Sequence, residues 1–334
     1  MTKLYEAYDV ALLDLDGVVY IGGIAIPGAP EALQRARKQG MRLAYVTNNA
    51  SRTPAAVAAL LSGMHVPAEP EDVVTSAQAA ARLLAEKLPP GANVLVIGAM
   101  ALRLAVRERG LNPVTTAAAG PQAVVQGYGP GISYQTLAEG GLAVRNGAFY
   151  VGTNADSTLP GPHGIQPGNG SLLQVIIHAT GVRPVIAGKP EPPLHRESVI
   201  RTGAKRPLVI GDRLDTDIEA GHRAECDSLL VLTGVTHPAE AVTAPGHQRP
   251  TYIGENLGAL LEPYPEVARA DDGCACGGWI ASRERNGRLA INGTGKAIDG
   301  LRALCSAAWS APEPVSGEQA EQALSVLRAA GLPA

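Results

Sequence analysis

Asp9-Val10-Ala11-Leu12-Leu13-Asp14-Leu15-Asp16-Gly17-Val18 is an apolar run that closes on two carboxylates and a glycine. Asp9 to Leu15 reads as a buried strand. Pro30 to Gln39 follows as an amphipathic helix stopped by Gly40. Met41 to Val46 is a second apolar strand, and Thr47-Asn48-Asn49-Ala50-Ser51-Arg52-Thr53-Pro54 leads from it into another helix. Thr53 suits the N-cap, and Pro54 suits the first helical turn, where its missing N–H costs nothing. Short strands alternating with helices predict an α/β protein built on a doubly wound parallel sheet. The rhythm returns at Leu208–Ile210, Leu229–Leu232 and Thr251–Ile253, with helical patterns around Asp217–Arg223 and Asn256–Leu261.

Residues 79–185 interrupt it. They carry their own strand and helix (Asn93–Ile97, Met100–Arg109), further strands near Ala123–Tyr128 and Ala148–Gly152, and a Gly/Pro-rich loop through Pro160–Gly170. A segment that long with its own apolar runs predicts an inserted α/β domain rather than a loop, with 1–78 and 186–262 closing into one core. Pro263-Tyr264-Pro265 reads as a linker to a C-terminal extension, 263–334. The extension shows a hairpin signal, Arg285-Asn286-Gly287 between Trp279–Ser282 and Arg288–Ile291, and then two helical patterns. Asn292-Gly293-Thr294-Gly295-Lys296 lacks the Gly and Ser/Thr positions of a phosphate loop, so it reads as a turn entering a helix. An extension of this size is marginal as an independent fold, which predicts that it packs on the core or on a second subunit.

Among the 334 residues, 46% are hydrophobic, 18% charged and 4% aromatic, the profile of a globular chain whose cores rely on Ala, Val, Leu and Ile. A net charge of −3 gives no electrostatic case for a nucleic-acid or membrane partner. No apolar run approaches the roughly 18–20 residues of a membrane span. Cys226, Cys274, Cys276 and Cys305 have neither zinc-site nor disulfide-framework spacing, and together with an N-terminus that lacks a secretory pattern they suggest reduced thiols in a cytoplasmic protein.

The chemistry concentrates at strand ends, the edge of a doubly wound sheet where ligands bind. Asp14 and Asp16 would repel each other there unless a cation or a proton lay between them. Thr47 and Asn48 offer a hydroxyl and backbone N–H groups to phosphate oxygens. Gly211-Asp212-Arg213-Leu214-Asp215-Thr216-Asp217 brings more hard oxygen ligands, of which Asp212 and Asp217 suit a Mg²⁺ site and Asp215 suits a helix start. Lys189, in Gly188-Lys189-Pro190, offers either an ammonium for a phosphate or a solvated surface lysine.

These stations in this order resemble the haloacid dehalogenase superfamily, and within it the phosphatases with a large cap inserted between the second and third motifs. The resemblance runs from about residue 9 to 262 and leaves the extension outside. It implies that Asp14 is a nucleophile forming an aspartyl-phosphate, and that Asp16 is the acid–base. It also implies that Asp14, Asp16, Asp212 and Asp217 serve a Mg²⁺ ion and that Thr47, Asn48 and Lys189 hold the phosphate. An acid at the second position of the first motif argues against a dehalogenase, and the absence of DKTG argues against an ion pump. Arg145-Asn146-Gly147-Ala148-Phe149-Tyr150-Val151-Gly152-Thr153-Asn154-Ala155-Asp156, with Pro167-Gly168-Asn169-Gly170, resembles the cap of phosphatases acting on phosphoglycolate, glycerol 3-phosphate, pyridoxal phosphate and nucleotide monophosphates. Thr153, Asn154 and Asp156 are thereby candidates for substrate contact or cap closure. Gly129 stands where that group often has an acid. With few aromatics to stack a ring, a small hydrophilic phosphate is expected: glycerol 3-phosphate first, phosphoglycolate second. The alternative is a protein that binds a phosphorylated ligand without turnover. A homo-oligomer formed through the cap or the extension is a further expectation.

Overall fold

A computed structural model describes residues 2–161, 164–270, 273–284, 288–311 and 313–333. The chain divides into two compact units, Met1–Leu43 with Lys205–Ala334, and Ala44–Ala204, and the division falls inside the strand Arg42–Thr47.

In the first unit the strands Val10–Leu13, Pro207–Gly211, Ser228–Val231 and Tyr252–Gly254 run parallel, side by side in that order. Val10 to Leu13 are all buried, which is why this run carries no polar alternation. The helix Ala29–Lys38 buries Ala32, Leu33 and Ala36 at helical spacing and starts one residue before the predicted Pro30. The predicted helix Asn256–Leu261 is a 3₁₀ turn, Leu257–Leu260, capped by the Asn256 side chain on the Gly258 N–H. Around the fourth motif the chain first makes a wide π turn, Leu214–Ile218, and only then an α-helix, Glu219–Arg223.

The extension belongs to this unit and builds its core. Strands Ala268–Ala270, Gly273–Cys276, Trp279–Arg283 and Leu289–Gly293 form an antiparallel sheet, followed by helices Ala297–Ala308 and Gly317–Ala329. The flanks of the predicted hairpin pair from Trp279↔Gly293 to Arg283↔Leu289, while Arg285-Asn286-Gly287 lies outside the described residues. Trp279, Leu301, Leu304, Leu324 and Leu327 share one buried cluster with Leu230 and Ile253 of the parallel strands, Leu214 and Ile218 of the π turn, and Val242 of the helix Pro238–Thr243. Pro263-Tyr264-Pro265 is not a free linker. Pro263 bridges Lys3, the Tyr264 N–H donates to the Thr2 carbonyl at 3.2 Å, and the Tyr264 hydroxyl accepts from the Ile253 N–H at 2.9 Å. Arg302 donates to the Ile253 carbonyl at 2.8 Å and stacks over the Tyr264 ring at 4.1 Å. Tyr252–Gly254 is the edge of its sheet, so its outward N–H and C=O need partners, and the extension supplies them.

In the second unit the end of Arg42–Thr47 pairs in parallel with Val73–Thr75. Beyond it stands a five-stranded parallel sheet, in the order Val185–Ile186, Phe149–Gly152, Ala123–Gln126, Asn93–Ile97, Asn112–Val114. Thr53 accepts from the Ala56 N–H at 3.2 Å, capping the helix Pro54–Gly63 as its sequence predicts. Glu197, fully buried, is answered by Arg82, by Arg109 at 2.8 Å and by Arg201 at 3.8 Å, an ionic cluster that ties three helices together. The segment Pro160–Gly170, read as a loop, instead holds an antiparallel ribbon, Thr158–Gly161 against Gly164–Pro167, and the first turn of the helix Asn169–Thr180. Its side chains stay largely exposed (Ile165 at 81%), so no apolar alternation marked it as strand. Gly129 has a steric reason. A Cβ there would lie 2.8 Å from the Ala99 nitrogen and 2.9 Å from the Gly98 carbonyl carbon, leaving no room for an acid.

Candidate active site

In the first unit two parallel neighbours deliver the carboxylates. The Asp14 N–H continues the ladder by donating to Ile210 at 2.9 Å, and Asp212 leaves the adjoining strand one residue after Gly211. Asp217 returns from the π turn, close enough that a Cβ on Gly211 would lie 2.1 Å from its own. Ligand oxygens of Asp14, Asp212 and Asp217 lie within 4.8 Å of one another, and the two latter side chains are buried. Three hard oxygen donors in one buried corner repel unless a cation joins them, and this donor set fits Mg²⁺. Asp16 lies exposed beside them, and burial of part of its surface pushes its carboxyl above the usual range. Asp215 pairs with Arg213 at the surface at 2.9 Å and is absent from the carboxylate cluster.

The second unit carries the remaining stations. Thr47, buried at the strand end, accepts from the Asn49 N–H at 3.1 Å. Lys189 follows the edge strand Val185–Ile186, is 8% exposed, and donates from Nζ to the Val46 carbonyl at 3.3 Å. The Asn48 side chain engages both backbone groups of Lys189, accepting from its N–H at 2.8 Å and donating to its carbonyl at 3.2 Å. Thr153, Asn154 and Asp156 gather at the same place. Thr153 is fully buried, and Asn154 donates to the Asn48 carbonyl at 2.7 Å. Both carboxylate oxygens of Asp156 accept from Asn48 Nδ2, at 3.3 and 3.4 Å.

Sequence reasoning missed one segment altogether. Thr233-Gly234-Val235-Thr236 follows the strand Ser228–Val231 and wraps the metal corner. Thr233 Oγ1 donates to the Gly17 carbonyl at 2.6 Å, the Val235 N–H to Asp212 Oδ2 at 2.7 Å, and the Thr236 N–H to the Asp212 carbonyl at 3.2 Å. Its one sequence signal is a threonine close to a strand end, where Thr47 and Asn48 also stand in relation to theirs. A Cβ on Gly234 would lie 2.0 Å from Asp212 Oδ2, and one on Gly17 2.4 Å from the same oxygen. Gly234→Ala therefore displaces a carboxylate. The expected result is a Mg²⁺ requirement raised about tenfold or more, the scale of lost outer-shell support, measured as the Mg²⁺ dependence of thermal stability and of activity.

The described residues contain no helix long and apolar enough to cross a membrane. Residues 11–112 match the haloacid dehalogenase-like hydrolase model, and 186–260 a second hydrolase-like model of the same superfamily. Residues 276–332 match a GCN5-related N-acetyltransferase like domain. The D-glycerol 3-phosphate phosphatase of Mycobacterium tuberculosis is 43% identical over 320 residues, 93% of this chain and 88% of that protein. The 5′-nucleotidase YutF of Bacillus subtilis is 40% identical over 250 residues, 73% of this chain and 95% of its own. Among solved structures, the glycerol phosphate phosphatase of M. tuberculosis in complex with magnesium superposes with a TM-score of 0.89 at 41% identity, covering 98% of this chain and 99% of that one. That span includes the extension, which the motif-based resemblance had left outside.

Proposed function

The chain belongs to the haloacid dehalogenase-like hydrolases, and from that premise we propose that it is a Mg²⁺-dependent phosphatase whose substrate is glycerol 3-phosphate. The observation that carries the reaction is the convergence of Asp14, Asp212 and Asp217 within 4.8 Å. The substrate rests on the relative named for that activity, similar over 93% of this chain. We read 1–78 and 186–262 as the catalytic core, 79–185 as the cap and 263–334 as the extension. Four free cysteines fit a reducing, cytoplasmic setting.

In this reading an Asp14 carboxylate oxygen attacks phosphorus, the ester P–O bond breaks, and the carboxyl of Asp16 protonates the departing alkoxide. Asp16, now a carboxylate, takes a proton from the water that attacks the aspartyl-phosphate. The bond from phosphorus to Asp14 then breaks, returning the carboxylate and releasing inorganic phosphate. Acid–base help of this kind contributes about 10²–10⁴-fold. Thr47, the Asn48 backbone N–H and Lys189 stabilise the phosphate oxygens as charge shifts. Asp14, Asp212 and the Asp16 carbonyl would hold Mg²⁺, with Asp217 orienting a bound water. The ion's charge lets an anionic nucleophile meet an anionic phosphate.

The test is phosphate release from a panel (glycerol 3-phosphate, phosphoglycolate, pyridoxal phosphate, a nucleotide monophosphate), before and after exhaustive chelation. Activity should vanish with the metal and return with Mg²⁺, and glycerol 3-phosphate should have the highest kcat/KM. Full activity after chelation would remove the metal from the reading. A panel with no turnover would leave a binding protein.

A further inference from the structure

Resting on that reading, we propose that Asn48 is the positioning residue for Lys189, and that Asn154 and Asp156 act on the reaction by holding Asn48 rather than by touching substrate. A lysine ends in a flexible four-carbon stem, so its usefulness to a phosphate depends on where its backbone is fixed. Asn48 fixes it at two points, the N–H at 2.8 Å and the carbonyl at 3.2 Å, across 141 residues of sequence. Such a two-point grip leaves the backbone of Lys189 one position relative to the strand end that carries Thr47.

Gly188 makes the approach possible. A Cβ there would stand 2.5 Å from Asn48 Oδ1 and 2.6 Å from the Thr153 carbonyl, so no larger residue admits the contact. Asn48 is in turn held from three directions. Ser76 Oγ and Asn154 Nδ2 both donate to its carbonyl, at 2.6 and 2.7 Å, and Asp156 draws its Nδ2 at 3.3 Å. Asn154 is 5% exposed, its Oδ1 receives the Asp156 N–H at 3.2 Å, and its carbonyl receives Asn169 Nδ2 at 2.7 Å. A side chain so enclosed has its polar atoms committed to protein. Asp156 turns both carboxylate oxygens toward the amide that grips the lysine, at 3.3 and 3.4 Å, and so holds its orientation. The run Thr153–Asp156 therefore works as a brace for the phosphate end of any substrate.

A brace and a substrate contact differ in what they discriminate. In the full-length protein with Mg²⁺, Asn154→Ala, Asp156→Ala and Asp156→Asn would be compared on glycerol 3-phosphate, phosphoglycolate and p-nitrophenyl phosphate, with inorganic phosphate as inhibitor. The expected result is a fall in kcat/KM of about 10-fold or more, the scale of a lost hydrogen bond to a charged group, by the same factor on all three esters. Inhibition by inorganic phosphate should weaken in parallel, and Asp156→Asn, which keeps an acceptor, should recover most of the loss. Introduced into Lys189→Met, Asp156→Ala should cost less than about threefold, since the residue it serves has gone. A loss confined to one ester with phosphate inhibition unchanged, or full additivity with Lys189→Met, would overturn the proposal. Circular dichroism melts identify any variant that fails to fold, and Asn154→Ala then decides alone on the same panel. Wild-type protein that hydrolyses none of the three esters would instead bring down the functional reading itself.

Discussion

Asp14→Asn is expected to leave a folded protein that releases phosphate at least about 10⁴-fold more slowly, the scale on which losing a covalent nucleophile acts. The amide keeps the volume of the carboxylate and leaves the Asp14 N–H free to donate to Ile210. It cannot form an acyl phosphate, and it removes one of the three converging acids. Melting temperature and phosphate release on the same preparation make the check. A variant that kept a tenth of wild-type turnover would exclude covalent catalysis by Asp14. Acid-quenched wild-type protein carrying label from a ³²P-substrate, with none on the variant, would locate the intermediate.

Removal of everything after Glu262 is expected to yield aggregated protein. Leu214, Ile218, Leu230, Val242 and Ile253 are buried in the cluster that Trp279, Leu301, Leu304, Leu324 and Leu327 complete. Burial of each such side chain is worth about 1.5–3 kcal/mol, and a whole domain is stable by only about 5–15 kcal/mol. Uncovering even part of the layer exhausts that margin, and it also strips Ile253 of the partners that Tyr264 and Arg302 give its N–H and carbonyl. In the intact chain Leu304→Ala should cost about 2–5 kcal/mol. Urea unfolding followed by tryptophan fluorescence reads it directly, because Trp279 and Trp309 both lie in the extension. A truncated chain that stayed monomeric with an unchanged melting temperature would show that the extension is not part of the core.

Legible in the sequence were the central strands of the parallel sheets, among them Val10–Leu13, Arg42–Thr47 and Pro207–Gly211, and the residues at their ends, while short edge strands such as Val73–Thr75 and the ribbon Thr158–Gly161 were not. An apolar run such as Val10–Leu13 has one low-energy fate in an α/β chain, and a polar residue that follows it must emerge at the carboxyl edge. Asp14, Thr47 and Asp212 were legible for that reason, and Thr53 with Pro54 because capping is a local matter of four residues. Tertiary structure alone decided what each of these groups is held by. Asn48 meets Lys189 across 141 residues and Asp156 across 108, and no periodicity encodes such a meeting. A threonine past a strand end hints at Thr233, but the wrap of Thr233–Thr236 around Asp212 and the glycines it requires follow from the space left by another segment. The extension is the largest case. Its size announced that it must pack on something, but only the folded chain shows that it packs on the parallel sheet's own edge, whose N–H and C=O groups require a partner as strictly as its side chains require burial.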